Sequence, residues 1–330
     1  MTMRQSLFGS RMPVVFAVAF ATLIATGFIL PEVARAIDLM PGDIIIAGAG
    51  GVSRIDRTTG QREMFANFGG ERGAGGLVMN ANGDLYAVSA GPDSSAVYRI
   101  DPANGALTTV ASFGGTGRDI EFDSTGNLLV VIGQDSGLGG SVRKVDVSTG
   151  QVTDYGAGGA GAFYDIIVES DDSLLVGEVG GVSRFNLDTR TKTLLCAMNG
   201  GAGGITPAGD GAFYVSTLGA QVGRLTLDTC DFDIIGAGGG TGTNIIVDND
   251  GSLLAGVRGQ FNFGELRRFN VAGGGFTSLS AGGWAVNDIL VVPVPEPTGT
   301  AYMIVVSTLI LLSATCRRCP RRDSFAQAGR

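Results

Sequence analysis

The sequence predicts an all-β protein: a six-bladed β-propeller closed by pairing of an N-terminal with a C-terminal strand, flanked by a signal helix and a transmembrane helix. Three observations predict the ring. Short strand patterns are separated by turn residues, a unit of four such strands recurs, and a late segment supplies the strand that the first unit lacks. Hydrophobic residues make up 44% of the 330 residues, enough for a large core despite 55 glycines.

The repeating unit is clearest at residues 118–158. Serine, threonine and glycine separate its strand patterns, as the turns of an antiparallel meander require. The four predicted strands are residues 119–123, 127–133, 141–146 and 151–155.

Imperfect copies of this unit recur along the chain. Their second strands begin at intervals of 39 to 46 residues, the spacing expected of propeller blades. These starts are Asp43, Asp84, Asn127, Ser173, Ala212 and Ser252. The six copies predict six blades.

Each third strand carries one basic residue at the same position. Because the pattern recurs in every copy, we expect a structural role rather than a binding ring, with the stem packed between blades and the charged end at the surface. The six residues are Arg54, Arg99, Lys144, Arg184, Arg224 and Arg268.

The two ends of the ring are expected to meet. The first copy begins directly on its second strand, whereas residues 287–292 form a strand pattern without a blade of their own. Pairing of residues 287–292 with residues 43–47 would complete the first blade and remove the open sheet edges. The predicted propeller spans residues 37–293.

The GxxxDxxGNLLVV-type units, of which residues 126–131 show the GNLLVV part, resemble the NHL, streptogramin-lyase-like and gluconolactonase-like six-bladed propellers. The resemblance implies the fold more than a function. Enzymes of that group use either a histidine or a metal bound in the central channel, and this sequence contains no histidine. Lyase chemistry of the histidine type is therefore excluded.

Polar residues open several of the predicted innermost strands. Carboxylate and amide oxygens there would suit Ca²⁺ or Mg²⁺, and the gluconolactonase-like resemblance implies a divalent ion in such a channel. A second interpretation is that these groups line the channel and bond to backbone amides. The candidates are Asp119, Asp165, Asn244, Asn287 and Asp288, with Gly76 and Gly204 in the two remaining copies.

Two cysteines lie in the predicted ring, and an oxidising compartment would permit a disulfide between them. Cys196 falls on the predicted outer strand of the fourth blade and Cys230 at an outer turn of the fifth. Pairing needs a Cα separation of about 4.4–6.8 Å, which sequence alone does not show. Their pairing stays open at this stage.

Charge and composition exclude several classes of function. The formal charge is −8 and the ring contains no run of Lys or Arg, so nucleic-acid binding is not expected. The absence of histidine excludes histidine-based catalysis and removes the commonest protein ligand for zinc and copper.

The N-terminus has the three parts of a secretory signal peptide. Arg4 and Arg11 precede an apolar run at residues 13–30, and an Ala-x-Ala cleavage site ends at Ala36. A retained membrane anchor is the alternative. We expect residues 1–36 to direct export of the ring across the inner membrane.

The C-terminus combines Pro295, Glu296 and Pro297 with an uncharged apolar stretch at 298–315 and arginines within 316–322. The apolar stretch would span about 27 Å as a helix, and the arginines would keep residues 323–330 cytoplasmic. An ordinary tail anchor would have the same features. Order and spacing closely resemble the PEP-CTERM sorting signal of residues 294–322, which implies an exosortase that recognises Pro-Glu-Pro and a biofilm-matrix context.

The predicted function is a binding or scaffold module at the cell surface or in the extracellular matrix, with exosortase and exopolysaccharide as the expected partners and no catalytic residue. The alternative is a metal-dependent hydrolase or lactonase acting at the opening of the channel, with Ca²⁺ or Mg²⁺ held by Asp119, Asp165, Asn244 and Asp288.

Overall fold

A computed structural model describes residues 39–69, 73–91, 94–133, 139–157, 161–237, 240–258, 264–281 and 285–294. These residues form six four-stranded antiparallel sheets, which confirms the predicted all-β, six-bladed architecture. The predicted signal peptide, Pro-Glu-Pro motif and transmembrane helix lie outside the described residues. The described part of the chain holds no helix with the length and apolarity that a bilayer crossing requires.

Each sheet is one blade, and its strands run in order from the axis outwards. The innermost strands are β4 (Ala74–Met79), β8 (Gly117–Phe122), β12 (Phe163–Val168), β16 (Ala202–Pro207), β20 (Thr241–Val247) and β24 (Val286–Val291). The second strands are β1 (Ile44–Gly48), β5 (Leu85–Ser89), β9 (Leu128–Ile132), β13 (Leu174–Glu178), β17 (Phe213–Thr217) and β21 (Leu253–Arg258).

The third strands carry the recurring basic residues. They are β2 (Gly51–Ile55), β6 (Ser94–Ile100), β10 (Ser141–Val145), β14 (Gly181–Asn186), β18 (Gln221–Thr226) and β22 (Gly264–Phe269). The outer strands are β3 (Arg62–Asn67), β7 (Leu107–Gly114), β11 (Val152–Ala157), β15 (Thr191–Ala197), β19 (Asp231–Ala237) and β23 (Phe276–Ala281). We number as blade 1 the sheet of β24, β1, β2 and β3, and the other blades in chain order.

The innermost strands close a ring around the axis, because β24 contacts β4 and the contacts continue through β8, β12, β16 and β20 back to β24. Closure uses the predicted pairing: Ile44 lies opposite Val291 and Ile46 opposite Ile289 in the antiparallel pair of β1 and β24. Beyond the strand ends, Gly42 N donates to Val292 O at 2.8 Å. The first blade is therefore built from both ends of the ring.

The core lies between neighbouring blades, as strand β9 illustrates. Leu128, Val130 and Ile132 pack against blade 2, while Leu129 and Val131 pack against blade 4. All five are fully buried. A strand covered on both faces has no solvent-facing positions, which explains why the second strands read as continuous apolar runs rather than as an alternation.

The six recurring basic residues each pair with an acidic residue of their own blade, in the segment that precedes the second strand. The pairs are Arg54–Asp43, Arg99–Asp84, Lys144–Asp123, Arg184–Glu169, Arg224–Asp210 and Arg268–Asp248. These cations are partly exposed at the surface, so the pairs tie the third strand of each blade to the segment before its second strand and account for their recurrence without a ligand.

One of these pairs also joins the two blades at the closure. Arg57 of blade 1 donates to both oxygens of Asp248 in blade 6, at 2.6 and 2.9 Å, and Arg268 donates to the same carboxylate at 2.8 Å. Burial alone would raise the pKa of Asp248, but the hydrogen bonds and charges of the two arginines hold that pKa below its ordinary value. This cluster reinforces the junction that β24 closes.

Candidate functional site in the central channel

The predicted channel residues lie inside the innermost strands rather than at their starts. Asp119, Asp165 and Asp288 are each the third residue of their strand, because β8 and β12 begin two residues earlier, and β24 one residue earlier, than the pattern predicted. A register irregularity precedes each aspartate. Such a bulge leaves one residue unpaired and redirects the side chains that follow it.

The three aspartates connect the innermost strand of one blade to that of the next. Asp119 accepts a hydrogen bond from the backbone N–H of Ile166 at 2.8 Å. Asp165 accepts one from Ile205 at 2.5 Å, in the next blade along the chain. Each side chain is at most 5% exposed, so these bonds satisfy backbone donors that water does not reach.

The third link crosses the closure of the ring. Asp288 of β24 accepts a hydrogen bond from the N–H of Leu77 in β4 at 2.5 Å, and its second oxygen accepts the N–H of Ile289 at 2.7 Å. The second interpretation made from the sequence, that these groups bond to backbone amides, thus describes all three aspartates.

The remaining blades have a different residue at the same position. A Cβ atom at Gly76 would lie 2.6 Å from the Cα of Asp119, and one at Gly204 would lie 2.6 Å from the Cα of Asn244. Neither site has room for a side chain, so the neighbouring backbones approach directly. Asn244 is only 7% exposed, and its Oδ1 has no hydrogen-bond partner among the described residues.

Burial raises the pKa of all three ring aspartates. For Asp165 and Asp288 the neighbouring charge of Asp119 raises the pKa further, to well above the ordinary value. Burial, followed by the charge of Asp119, raises the pKa of Glu121 to about 8. The channel therefore carries less negative charge near neutral pH than its count of carboxyl groups suggests.

The donor set does not fit a bound divalent metal ion. Within the described ranges, no three acidic or thiol side chains converge closely enough to hold one. The ring aspartates instead direct oxygens at backbone N–H groups of β4, β12 and β16. We therefore derive no chemical step through a metal at this position.

Two cavities lie on either side of the ring, as the strand positions of their lining residues indicate. The larger has a volume of about 610 Å³; Asp119, Asp165, Asn244 and Asp288 line it, and so does Glu121. The smaller has a volume of about 60 Å³ and is lined by residues nearer the strand starts. The structure thus brings four of the five predicted channel residues to one cavity.

The fifth predicted residue, Asn287, belongs to the smaller cavity, and its side-chain amide donates to Ala74 O at 2.8 Å. Sequence reasoning did not identify Glu121, although its position two residues after Asp119 on the same strand places both side chains on one face. It also missed Arg118, Tyr164 and Arg258 of the smaller cavity. The sequence did not reveal the bulges, and the bulges determine which side chains reach the channel.

The structure joins Cys196 and Cys230, whose pairing the sequence left open, in a disulfide with a Cα separation of 5.3 Å. Cys196 lies on β15 and Cys230 in the turn before β19. The bond therefore links the outer edges of blades 4 and 5, far from the channel strands in the sheet order.

We expect the stability of the ring to fall as the pH rises towards 8. Because the pKa of Glu121 is raised from 4.5 to about 8, the folded state keeps a proton that the unfolded state has lost between these values. The difference in free energy of unfolding between Glu121→Gln and the wild type should therefore be roughly 2–4 kcal/mol more favourable to the variant at pH 9 than at pH 5. Urea midpoints at both pH values measure this.

The matched control for Glu121→Gln is Glu63→Gln on the outer strand β3, where the side chain is 45% exposed and paired with Arg54. This substitution should not reduce the loss of stability at high pH. A wild-type pH dependence that persists unchanged in Glu121→Gln would contradict the assignment.

Comparison with known proteins agrees with a β-propeller fold. Residues 43–161 match the family model described as lactonase, 7-bladed beta-propeller, which is little more than a third of the chain. The described residues form six sheets rather than seven. No curated protein matches the sequence.

Solved structures show the same fold at low identity. The structure of a nidogen/laminin complex is 12% identical, covers 76% of this chain and 98% of that chain, and has a TM-score of 0.60. TolB from Acinetobacter baumannii is 16% identical, with 77% and 67% covered and a TM-score of 0.59. A protein of unknown function from Bacteroides caccae is 10% identical, with 77% and 99% covered and a TM-score of 0.57. The chain is thus a six-bladed β-propeller, and these likenesses show the fold alone.

Proposed function

We propose that this protein is an exported β-propeller that acts as a binding or scaffold module at the cell surface or in the extracellular matrix. The observation that carries the proposal is the use of the ring carboxylates: Asp119, Asp165 and Asp288 bond to backbone N–H groups of neighbouring blades. Polar residues engaged in holding the blades together are poorly suited to catalysis, which favours a module that binds through its surfaces and channel.

The sorting part of the proposal rests on the ends of the chain. The signal peptide pattern at residues 1–36 and the PEP-CTERM-like pattern at 294–322 support an export route that ends with exosortase processing at Pro295, Glu296 and Pro297. Exopolysaccharide is the proposed ligand class, because the resemblance of the tail implies a matrix context.

The processing step is tested in a bacterial host that carries an exosortase. Wild-type protein and a variant without residues 295–297 are expressed with an epitope tag after Arg330 and a second tag after Ala36. We expect the wild type to lose the C-terminal tag and leave the membrane fraction, while the variant keeps both. Equal retention of the C-terminal tag in the two proteins would refute exosortase processing.

The binding role has its own test, which does not depend on processing. The tag-purified full chain is mixed with exopolysaccharide prepared from the same host and sedimented. Co-sedimentation that saturates with protein supports the scaffold role. Recovery equal to that of an unrelated secreted protein of similar charge would contradict it.

A lactonase is the second candidate, and the match of residues 43–161 to a lactonase family model favours it. The larger cavity, about 610 Å³, has room for a small lactone; Asn244, whose Oδ1 has no hydrogen-bond partner in the described part of the chain, lies in its lining. This candidate predicts hydrolysis of a small lactone by the purified protein and a lower rate in Asn244→Ala. Absence of hydrolysis by the wild type would exclude it.

A further inference from the structure

The smaller cavity of the channel is lined by side chains from the bulged part of the innermost strands. Arg118, Tyr164, Thr243 and Asn287 each come directly before the ring position of their blade, and Arg258 reaches the cavity from the end of β21. The bulges thus bring Arg118, Tyr164 and Asn287 to the same cavity as Arg258, whereas the hydroxyl of Thr243 donates its hydrogen to Val286 O at 2.5 Å.

Arg118 is held in this cavity by its neighbours. Its guanidinium lies 5.7 Å from the centre of the Tyr164 ring, a cation–π contact. On another side the backbone of Gly133 leaves it no spare room, because a Cβ atom there would lie 2.4 Å from Arg118 Nε. The side chain is therefore ordered before any ligand arrives, which lowers the entropy cost of binding.

The hydrogen-bonding capacity of Arg118 is not used up. Its Nε is buried and has no hydrogen-bond partner among the described residues. A buried donor without an acceptor costs free energy that a ligand oxygen would recover. The nearest acidic residue in sequence, Asp119, directs its carboxylate at the N–H of Ile166 instead.

The electrostatics of the cavity favour an anion. Burial lowers the pKa of Arg118; Tyr164 acts in the opposite direction, and the positive charge of Arg258 lowers the pKa further. An anion beside Arg118 would offset the burial of its charge and accept a hydrogen bond from its Nε.

We propose that Arg118 and Arg258, with Tyr164 and Asn287, bind the carboxylate group of a small organic acid or acidic sugar at this opening of the channel. The volume of about 60 Å³ suits a three-atom carboxylate, with the remainder of the ligand extending out of the opening. The planar guanidinium matches a carboxylate through two parallel hydrogen bonds. This site is separate from the ring aspartates and does not depend on the proposed scaffold or lactonase function.

The proposal is tested by titration calorimetry on the full chain in detergent, with D-glucuronate, acetate, D-glucose and inorganic phosphate as probes. We expect both carboxylates to bind, glucose not to bind, and phosphate to bind at least tenfold more weakly than glucuronate. Glucuronate binding with no binding of acetate would assign the ligand to acidic sugars, and equal affinities would assign it to the carboxylate alone. Binding of phosphate but of neither carboxylate, or of no probe, would overturn the proposal.

Variants identify the residues. Arg118→Gln and Arg258→Gln should each weaken carboxylate binding at least tenfold, because each removes charge-assisted hydrogen bonds. The control is Arg224→Gln, an arginine of the third strand that pairs with Asp210 outside the channel, which should bind as wild type does. Gly133→Ala keeps both arginines but displaces Arg118, and it should also weaken binding. Unchanged binding in both channel variants, with wild-type melting temperatures, would overturn the assignment.

Discussion

A chain of residues 37–281 is expected not to form a stable ring, whereas a chain of residues 37–294 folds. The shorter chain lacks β24, and with it the buried side chains of Val286, Ile289 and Val292. Burying three side chains of this size contributes about 5–9 kcal/mol, against a total stability of about 5–15 kcal/mol for a typical domain. The loss also leaves the inner edge of β1 unpaired and the N–H of Leu77 without its acceptor, Asp288.

Urea unfolding and size-exclusion chromatography of the two chains measure this effect. The chain of residues 37–294 is the matched control, because it also lacks the signal and the tail but retains the closing strand. Addition of a synthetic peptide of residues 285–294 to the shorter chain should restore part of the cooperative transition. A shorter chain that is monomeric and unfolds at the same urea concentration as the control would contradict the role of β24.

Removal of the disulfide is the second change with a large expected effect. The bond between Cys196 and Cys230 closes a loop with a sequence separation of 34 residues. Loop-closure entropy assigns such a bond about 3–4 kcal/mol, so Cys196→Ser with Cys230→Ser should lower the melting temperature by roughly 6–15 °C. Differential scanning calorimetry of the chain of residues 37–294, which has no other cysteine, measures the shift.

The reduced wild type provides the control. Dithiothreitol should lower the melting temperature of the wild type to near that of the double variant and leave the double variant unchanged. A wild-type melting temperature that does not respond to reductant, in a chain shown by thiol titration to be fully reduced, would contradict a stabilising role for the bond.

The sequence predicts the architecture well because a propeller repeats one local pattern. Runs such as Leu128 to Ile132 appear in every copy, since each second strand packs against a neighbour on both faces. The closure is also predictable, because the first copy lacks one strand and the segment that contains Ile289 offers it. Repetition lets weak local signals reinforce one another.

The channel is harder to predict, because small backbone irregularities decide which residues reach it. Strand β8 begins two residues before its predicted start and contains a bulge at Arg118. Asp119 therefore lies inside the strand, and Arg118 lines the smaller cavity. No residue type marks such a bulge in this sequence: the residue in the bulge is Arg118 in one blade, Tyr164 in the next and Asn287 in another. The pairing of Cys196 with Cys230 depends on the distance between the outer edges of two neighbouring blades, and a local sequence pattern carries no information on that distance.

The closed ring is the central claim, and amide hydrogen exchange tests it most directly. In the chain of residues 37–294, the amides of β1 should exchange as slowly as those of β9, because both strands are paired on both sides, and the amides of β24 that donate to β1 should be protected as well. Fast exchange of residues 286–291 and 44–48, while residues 128–132 stay protected, would show that the two ends do not pair and would contradict the account.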